Sequence, residues 1–338
     1  IVEEIGACSG NKGRRAIAIR FSVDKYRVIA FRLTRQHYSI GVFTLAGDEV
    51  GERVTKDITN SDPEYIINYV CETINTILQC QKQYTFLAVG VAVPGPYYED
   101  SGEIAMISTF QGWWNIRIRD IMQAQITIPV IVEHDANAGA LAESTLVERR
   151  DIHDTVVYVS AGQGIGAGIV NQGEIYKGAL GIAGEIGHTC VDINGAACDC
   201  GRRGCLTMYA STIALAQNVG ARLGRDDMTF AEAVALIRAE CPEALEEFHE
   251  LMRYMGAGII NLIYTYNPSC IIIGDEISCI GKLILDDLYR QLREMNVTRL
   301  ANQVQIELAE LGFDSAYVGA AIVATRYVFD NIAAFLQE

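Results

Sequence analysis

The sequence predicts an α/β protein of two lobes built on a duplicated unit, and three observations carry that expectation. The chain has 338 residues, half of them apolar, enough to bury a sizeable core and to divide into two lobes. Two separate stretches share one order of strand, turn, strand, turn, strand, as a duplication would leave them. Helical patterns alternate with the remaining short apolar runs, which implies mainly parallel crossovers.

In chain order, the first unit opens with Tyr26–Leu33, turns through Thr34–His37 and returns as Tyr38–Leu45. It closes at Ala46, Gly47 and Asp48 before another short strand. A helical pattern over Pro63–Cys80 leads to the apolar run Phe86–Val93. Helical Ile116–Gln125 precedes the run Val130–Val132, and helical Ala136–Leu146 follows it. The second unit repeats the form with Thr155–Ser160, a turn at Ala161–Gly164, a return over Ile165–Val170 and a closing turn at Asn171, Gln172 and Gly173. Beyond it, a long helix is expected over Pro242–Tyr266, a strand over Cys270–Ile273 and a terminal amphipathic helix over Phe329–Gln337. No linker is rich in Pro and Ser and no segment is low-complexity, so the lobes are expected to share a tight cleft.

The formal charge of −15 should repel nucleic acid and anionic membranes from the body of the protein. One stretch departs from that balance: Lys12, Arg14, Arg15, Arg20, Lys25, Arg27, Arg32 and Arg35 stand against the single acid Asp24. It reads either as a solvated basic face or as an arm that touches phosphate. No apolar run approaches the ~20 residues of a membrane-spanning helix. The start Ile1-Val2-Glu3-Glu4 lacks the basic-then-apolar form of a secretory signal. Because the first residue is not Met, the chain is expected to begin inside a longer gene product. The ten cysteines are not spaced as a disulfide framework and suit a cytoplasmic protein with reduced thiols. Cys8, Cys71, Cys80, Cys241, Cys270 and Cys279 read as ordinary buried thiols.

His188, Cys198, Cys200 and Cys205 form a different group. One imidazole and three thiols fall within eighteen residues, with Gly195, Gly201 and Gly204 among them to let the chain reverse sharply. Three soft thiolates and a histidine suit a tetrahedral structural zinc, closed to water and therefore not catalytic. Cys190 follows His188 by only two residues and is expected to point away.

The segment Gly181–Tyr209, GIAGEIGHTCVDINGAACDCGRRGCLTMY, resembles the signature of the ROK family (repressor, open reading frame, kinase), in which GE-x-GH precedes C-x-C-G-x-x-G-C. Further stretches resemble the same family in the expected order: Ala92–Pro96, Gly112–Ile116, Ile128–Glu143, Gln163–Gly168, Asn267-Pro268 with Ile271–Gly274, and Gly319–Ala321. The resemblance implies the two-lobed actin/hexokinase-like fold, a duplicated ribonuclease-H-like unit, with a sugar in the cleft. It divides the chain into 1–17, a remnant of a winged helix-turn-helix wing and linker, and two lobes. The smaller lobe would be 18–136 plus 318–338, and the larger 137–317 with the zinc loop 188–205. By the same resemblance the sugar is held by His134, Asp135, Glu185, His188 and Thr207, while Gly95 lets the backbone approach the ring. His134 stands where an Asn is usual in the family and Thr207 where a Glu is usual, so glucose recognition does not follow.

Family kinases open with a D-x-G-G-T turn that organises the metal and the nucleotide phosphates. The equivalent turn here reads Arg32-Leu33-Thr34-Arg35-Gln36, and a family Gly-Gly pair appears as Gly274-Asp275. Asp135 would be the general base if the protein were a kinase, but a base without a donor site does not transfer phosphate. Ile1–Arg15 resembles the last helix and basic wing of the DNA-binding head of ROK repressors. The resemblance therefore implies the repressor branch, which includes xylose and N-acetylglucosamine repressors. In that branch the protein is a homodimer or homotetramer without kinase activity. It would bind a sugar or sugar phosphate and reach DNA through an N-terminal domain missing from the chain. The alternatives are an ATP-dependent hexose kinase and a repressor controlled by a protein partner such as a sugar-transporter domain.

Overall fold

The structure, a computed structural model, describes residues 2–7, 17–21, 24–60, 62–105, 112–146, 154–295 and 303–335. Val2–Ala7 (β1) and Ile17–Phe21 (β2) pair antiparallel as a separate hairpin. The helix expected within Ile1–Arg15 is thus a strand where it is described. Cys8, Lys12, Arg14 and Arg15 lie outside the described residues.

Tyr26–Leu33 (β3), His37–Thr44 (β4) and Glu49–Asp57 (β5) form an antiparallel meander. The helix Pro63–Cys80 (α1) then leads to Thr85–Val93 (β6), parallel to β3. A small hairpin of Tyr97–Tyr98 (β7) and Glu103–Ile104 (β8) and the helix Ile118–Gln123 (α2) lead to Val130–His134 (β9), parallel to β6. The sheet order is β5-β4-β3-β6-β9. Asp135–Leu146 (α3) leads to the second meander: Thr155–Ala161 (β10), Ile165–Asn171 (β11) and Glu174–Ile175 (β12). Four helices follow, Thr207–Ala210 (α4), Thr212–Leu223 (α5), Phe230–Arg238 (α6) and Pro242–Tyr266 (α7). Cys270–Gly274 (β13) lies parallel to β10, and Leu283–Glu294 (α8) connects it to Gln305–Leu308 (β14). The second sheet runs β12-β11-β10-β13-β14, the same order and the same directions as the first. The repeated pattern in the sequence is a repeated topology.

Local chemistry explains the helices that position the cleft. Pro63 begins α1 behind Asp62, whose side chain accepts from the Glu64 amide, and Ile66, Ile67, Val70, Cys71 and Ile74 bury one face. Pro242 likewise stands at the start of α7, here without a side-chain cap, and Asn267, left-handed at φ 45°, ends it just before Pro268. Thr229 and Glu232 bond each other's backbone amides to start α6.

The last helix, Ser315–Asp330 (α9), returns to the first lobe. Its Ala316, Tyr317, Ala320, Ala321, Ala324 and Val328 pack against Val28 and Ala30 of β3 and Leu87, Ala88 and Ala92 of β6. Where α9 crosses α3, Gly319 abuts the backbone of Ala138, and a Cβ there would overlap the Ala138 carbonyl oxygen. Backbone cannot yield as a side chain does, so Gly319→Ala should lower stability by about 1–3 kcal/mol. A urea midpoint equal to that of the parent would refute this account of the crossing.

Several expectations are corrected. The terminal helix is α9, ending at Asp330 with one 3-10 turn over Ile332–Phe335, rather than a helix over Phe329–Gln337; residues 336–338 lie outside the described residues. Of the five ordinary thiols among the described residues, Cys71 and Cys270 are buried, Cys241 is half-buried, and Cys80 and Cys279 are exposed. The basic stretch is not one solvated face: Arg27 is buried with its guanidinium over the Tyr84 ring, and Arg32 is buried between the lobes. Among the described residues, no helix is long and apolar enough to cross a membrane.

Candidate functional site

One cavity of about 90 Å3 lies between the two sheets, and its lining includes Gly95, His134, Asp135, Glu185, His188 and Thr207. A single buried water needs only about 10–15 Å3, so this is room for a small polar ligand. The fold delivers the six from both lobes. Gly95 follows β6, His134 ends β9 and Asp135 begins α3; Glu185 precedes the 3-10 turn Ile186–His188 and His188 ends it, and Thr207 begins α4.

His134 occupies the floor. Its Nε2 lies 3.1 Å from Asp135 Oδ1 and 4.0 Å from Glu185 Oε1. A Cβ on Gly95 would come within 2.6 Å of the imidazole, so the glycine is what allows the ring to sit there. Burial raises the carboxyl pKa of Asp135 against the pull of His134, and it raises that of Glu185 likewise. Because the folded state holds the Asp135 proton more tightly than the unfolded chain, this group favours folding at low pH, and that contribution is lost as pH rises through its raised pKa. At neutral pH the buried charge therefore works against stability. Asp135→Asn, which keeps an oxygen for the Ala136 amide now bonded at 2.7 Å, should raise the unfolding temperature at pH 7. The gain should shrink as pH falls into the carboxylate range; a lower unfolding temperature at pH 7 would contradict this reading.

The other end of the cavity holds an ion pair across the cleft. Arg32, near the end of β3, donates to Asp275 Oδ1 at 3.1 Å, and both side chains are buried. Asp275, just after β13, also accepts from Ser160 Oγ at 2.7 Å and from the Glu276 amide at 3.0 Å. Arg32 further donates to the Phe313 carbonyl and lies 4.3 Å from the centre of the Phe313 ring. Burial works against the Arg32 charge, but Asp275 and Asp135 more than offset it and raise its pKa. Arg35, in the turn between β3 and β4, lines the same cavity. On another side of the cleft, Lys177 bonds Glu133 at 3.0 Å and Glu99 at 2.9 Å, joining the loop after β12 to β9 and the β7–β8 hairpin. Glu133 in turn accepts from the His134 amide at 3.0 Å.

Sequence reasoning did not single out Lys177, Glu133, Ser160 or Phe313. Glu133 carried the one available signal, a carboxylate inside an apolar strand. Phe313 carried none, because only the return of the chain after β14 brings it to Arg32.

His188, Cys198, Cys200 and Cys205 converge, with one donor atom from each lying within 4.8 Å of the others. Cys198 Sγ lies 3.6 Å from His188 Nδ1, and Cys200 Sγ lies 3.6 Å from Cys205 Sγ. The latter is too long for a disulfide, which needs about 2.05 Å. Both distances match the edges of a zinc tetrahedron, about 3.6 Å from N to S and about 3.8 Å from S to S for ordinary bond lengths. Cys190 is exposed and stays out of the cluster, as expected. The loop is pinned where Tyr209 accepts from the Ala196 amide at 2.7 Å and stacks on Tyr254 of α7 with ring centres 4.3 Å apart. His188 thus turns Nδ1 to the thiols and also lines the cavity.

Comparison with known proteins agrees with this architecture. The profile of the ROK family matches residues 28–327. The chain is 27% identical to a xylose repressor of Caldicellulosiruptor bescii, over 98% of this chain and 87% of the repressor. It is 26% identical to a glucokinase of Thermotoga maritima, over 89% of this chain and 98% of the enzyme. A ROK family glucokinase from Streptomyces griseus, solved in complex with glucose and AMPPNP, superposes with a TM-score of 0.80 at 26% identity, covering 89% of this chain and 99% of that one. Repressor and glucokinase relatives are thus about equally similar. Two like-ordered sheets, a His/Cys cluster beside the cleft and a match over most of the sequence lead to one conclusion: this chain belongs to the ROK family.

Proposed function

We propose that this chain is the effector-binding and oligomerisation region of a sugar-responsive ROK transcriptional regulator, and that it does not phosphorylate its ligand. The observation that carries the reading is the Arg32–Asp275 pair with Phe313 against it. A nucleotide phosphate would have to approach between the turns after β3 and β13, where a buried ion pair now stands. The acid that would organise a metal is replaced by Arg32, and Asp275 adds repulsion toward phosphate. Asp135 remains, but as a partner of His134 in a hydroxyl-accepting site.

In this reading Asp135 and Glu185 accept sugar hydroxyls and His188 donates through Nε2, while Thr207 contributes one hydroxyl. Zinc is the ion that the three thiolates and His188 fit. It would hold the imidazole in one orientation and so link the loop to the ligand. The lobe division at 18–136 plus 318–338 and 137–317 is retained, with β1–β2 as the wing hairpin. Ligand contacts from both lobes would favour one relative orientation of the lobes and pass that preference to DNA-binding heads in a homodimer or homotetramer. The names of the relatives, a xylose repressor and glucokinases, support a sugar as the ligand class.

The test is direct. Purified protein should show saturable sugar binding by calorimetry and no ATP turnover when the same sugars are added. Sugar-dependent ADP release would reject the regulator reading in favour of a kinase.

A further inference from the structure

We propose that Cys190 is an oxidation-sensing thiol that forms a disulfide with Cys205 and so expels the zinc that the His/Cys cluster fits. The proposal rests on that cluster as the metal site and not on the identity of the cleft ligand.

Cys190 and Cys205 face each other across an isolated antiparallel bridge. The Val191 amide donates to the Gly204 carbonyl at 2.8 Å, and the Leu206 amide donates to the Thr189 carbonyl at 3.0 Å. These bonds flank the pair and leave it the non-hydrogen-bonded kind, with side chains on one face and Cα atoms about 4.5 Å apart. A disulfide spans Cα separations of about 4.4–6.8 Å, so the backbone register already suits a bond between the two.

The two thiols differ in access. Cys190 is exposed, whereas Cys205 is wholly buried and belongs to the set of four donors. Cys190 stays outside that set, so a bound metal would not shield its sulfur from an oxidant. Cys80 and Cys279 are exposed as well, but Cys80 ends α1 and Cys279 lies in the 3-10 turn Glu276–Ile280. Neither bridges to a member of the cluster. An exposed thiol with a second thiol held opposite it is the arrangement of redox-sensing cysteines.

Hydrogen peroxide supplies the oxidising equivalents. The Cys190 sulfur takes one peroxide oxygen as the O–O bond breaks, giving a sulfenic acid and one water. The Cys205 thiolate then leaves the metal and attacks that sulfur. The S–S bond forms, the S–O bond breaks, and hydroxide departs to be protonated by solvent. Two electrons have passed from the two sulfurs to one peroxide. Zinc is left with His188, Cys198 and Cys200, three donors where a closed structural site uses four, and is released. His188 also lines the cavity, so the loss reaches the cleft.

Treating the zinc-loaded intact protein with graded hydrogen peroxide tests this. Zinc release is followed with a chromogenic chelator, and disulfides are mapped by mass spectrometry of non-reduced digests. One zinc should leave per Cys190–Cys205 bond formed, and dithiothreitol with added zinc should restore the metal. Cys190→Ser should retain its zinc and the parent's unfolding midpoint, yet release the metal about tenfold or more slowly at equal peroxide. A Cys190→Ser protein that loses zinc as fast as the parent would overturn the proposal. So would a bond mapped between Cys198 and Cys200, or Cys190 oxidised to sulfinic acid with zinc retained. Failure of reduced Cys190→Ser to hold zinc would make Cys190 a ligand and likewise overturn it. If the reduced parent protein binds no zinc, the metal site fails together with this proposal, whatever sugars bind the cleft.

Discussion

Asp275→Leu is expected to destabilise the protein by about 3–5 kcal/mol, the usual cost of leaving one partner of a buried pair charged and alone. Arg32 would keep its charge, since a guanidinium does not deprotonate in proteins, and would be left with the Phe313 carbonyl and ring and the weaker pull of Asp135. Ser160 and the Glu276 amide would lose their acceptor as well. The double replacement Arg32→Met with Asp275→Leu should recover most of the loss, because an apolar pair of similar volume replaces two desolvated charges. Urea unfolding of the four members of this cycle measures the coupling. Additive effects would mean that the pair does not act across the cleft. The double replacement supplies neither a metal-binding acid nor a glycine turn, so it should not gain ATP turnover.

Loss of the metal should have the other large effect. Cys205→Ser removes a buried thiolate from the cluster, and mass spectrometry under native conditions should show zinc content falling from one per chain to near zero. Structural zinc sites hold their loops with about 10 kcal/mol or more, and residues 188–205 have little core of their own besides Cys198 and Cys205, themselves members of the cluster. The loop should become open to proteolysis, and hydrogen exchange there should rise while the two sheets stay protected. Sugar affinity should fall with it, because His188 belongs to both sites. Full zinc occupancy in Cys205→Ser would remove this cluster as the metal site. Zinc loss with unchanged sugar affinity would keep the metal site and break its link to the cleft.

Much of this arrangement was legible in the chain itself. The two meanders declared themselves because antiparallel strands joined by short turns leave a compact local pattern, and α1 and α7 because proline and an apolar face mark their ends and sides. The His/Cys cluster was readable from spacing, since its ligands lie within eighteen residues. What escaped is what depends on distance along the chain. Arg32 and Asp275 are far apart in sequence, and nothing local says that they meet. Arg27 looked like part of a basic arm, but strand alternation carries it inward onto Tyr84. The small-residue helix α9 has a weak apolar pattern because it is buried on several sides, against β3, β6 and α3, and so shows no clear face.

The return of α9 to the first sheet has a consequence for how the protein is made. On the ribosome, β3 and β6 emerge early, but the surface that Ala316 through Val328 cover has no partner until α9 is translated. For most of synthesis the nascent polypeptide would carry an apolar sheet face open to water, which is the kind of surface that chaperones bind and that aggregates. A release variant stopped before Ser315 should therefore be insoluble, even though every strand of both sheets has been made.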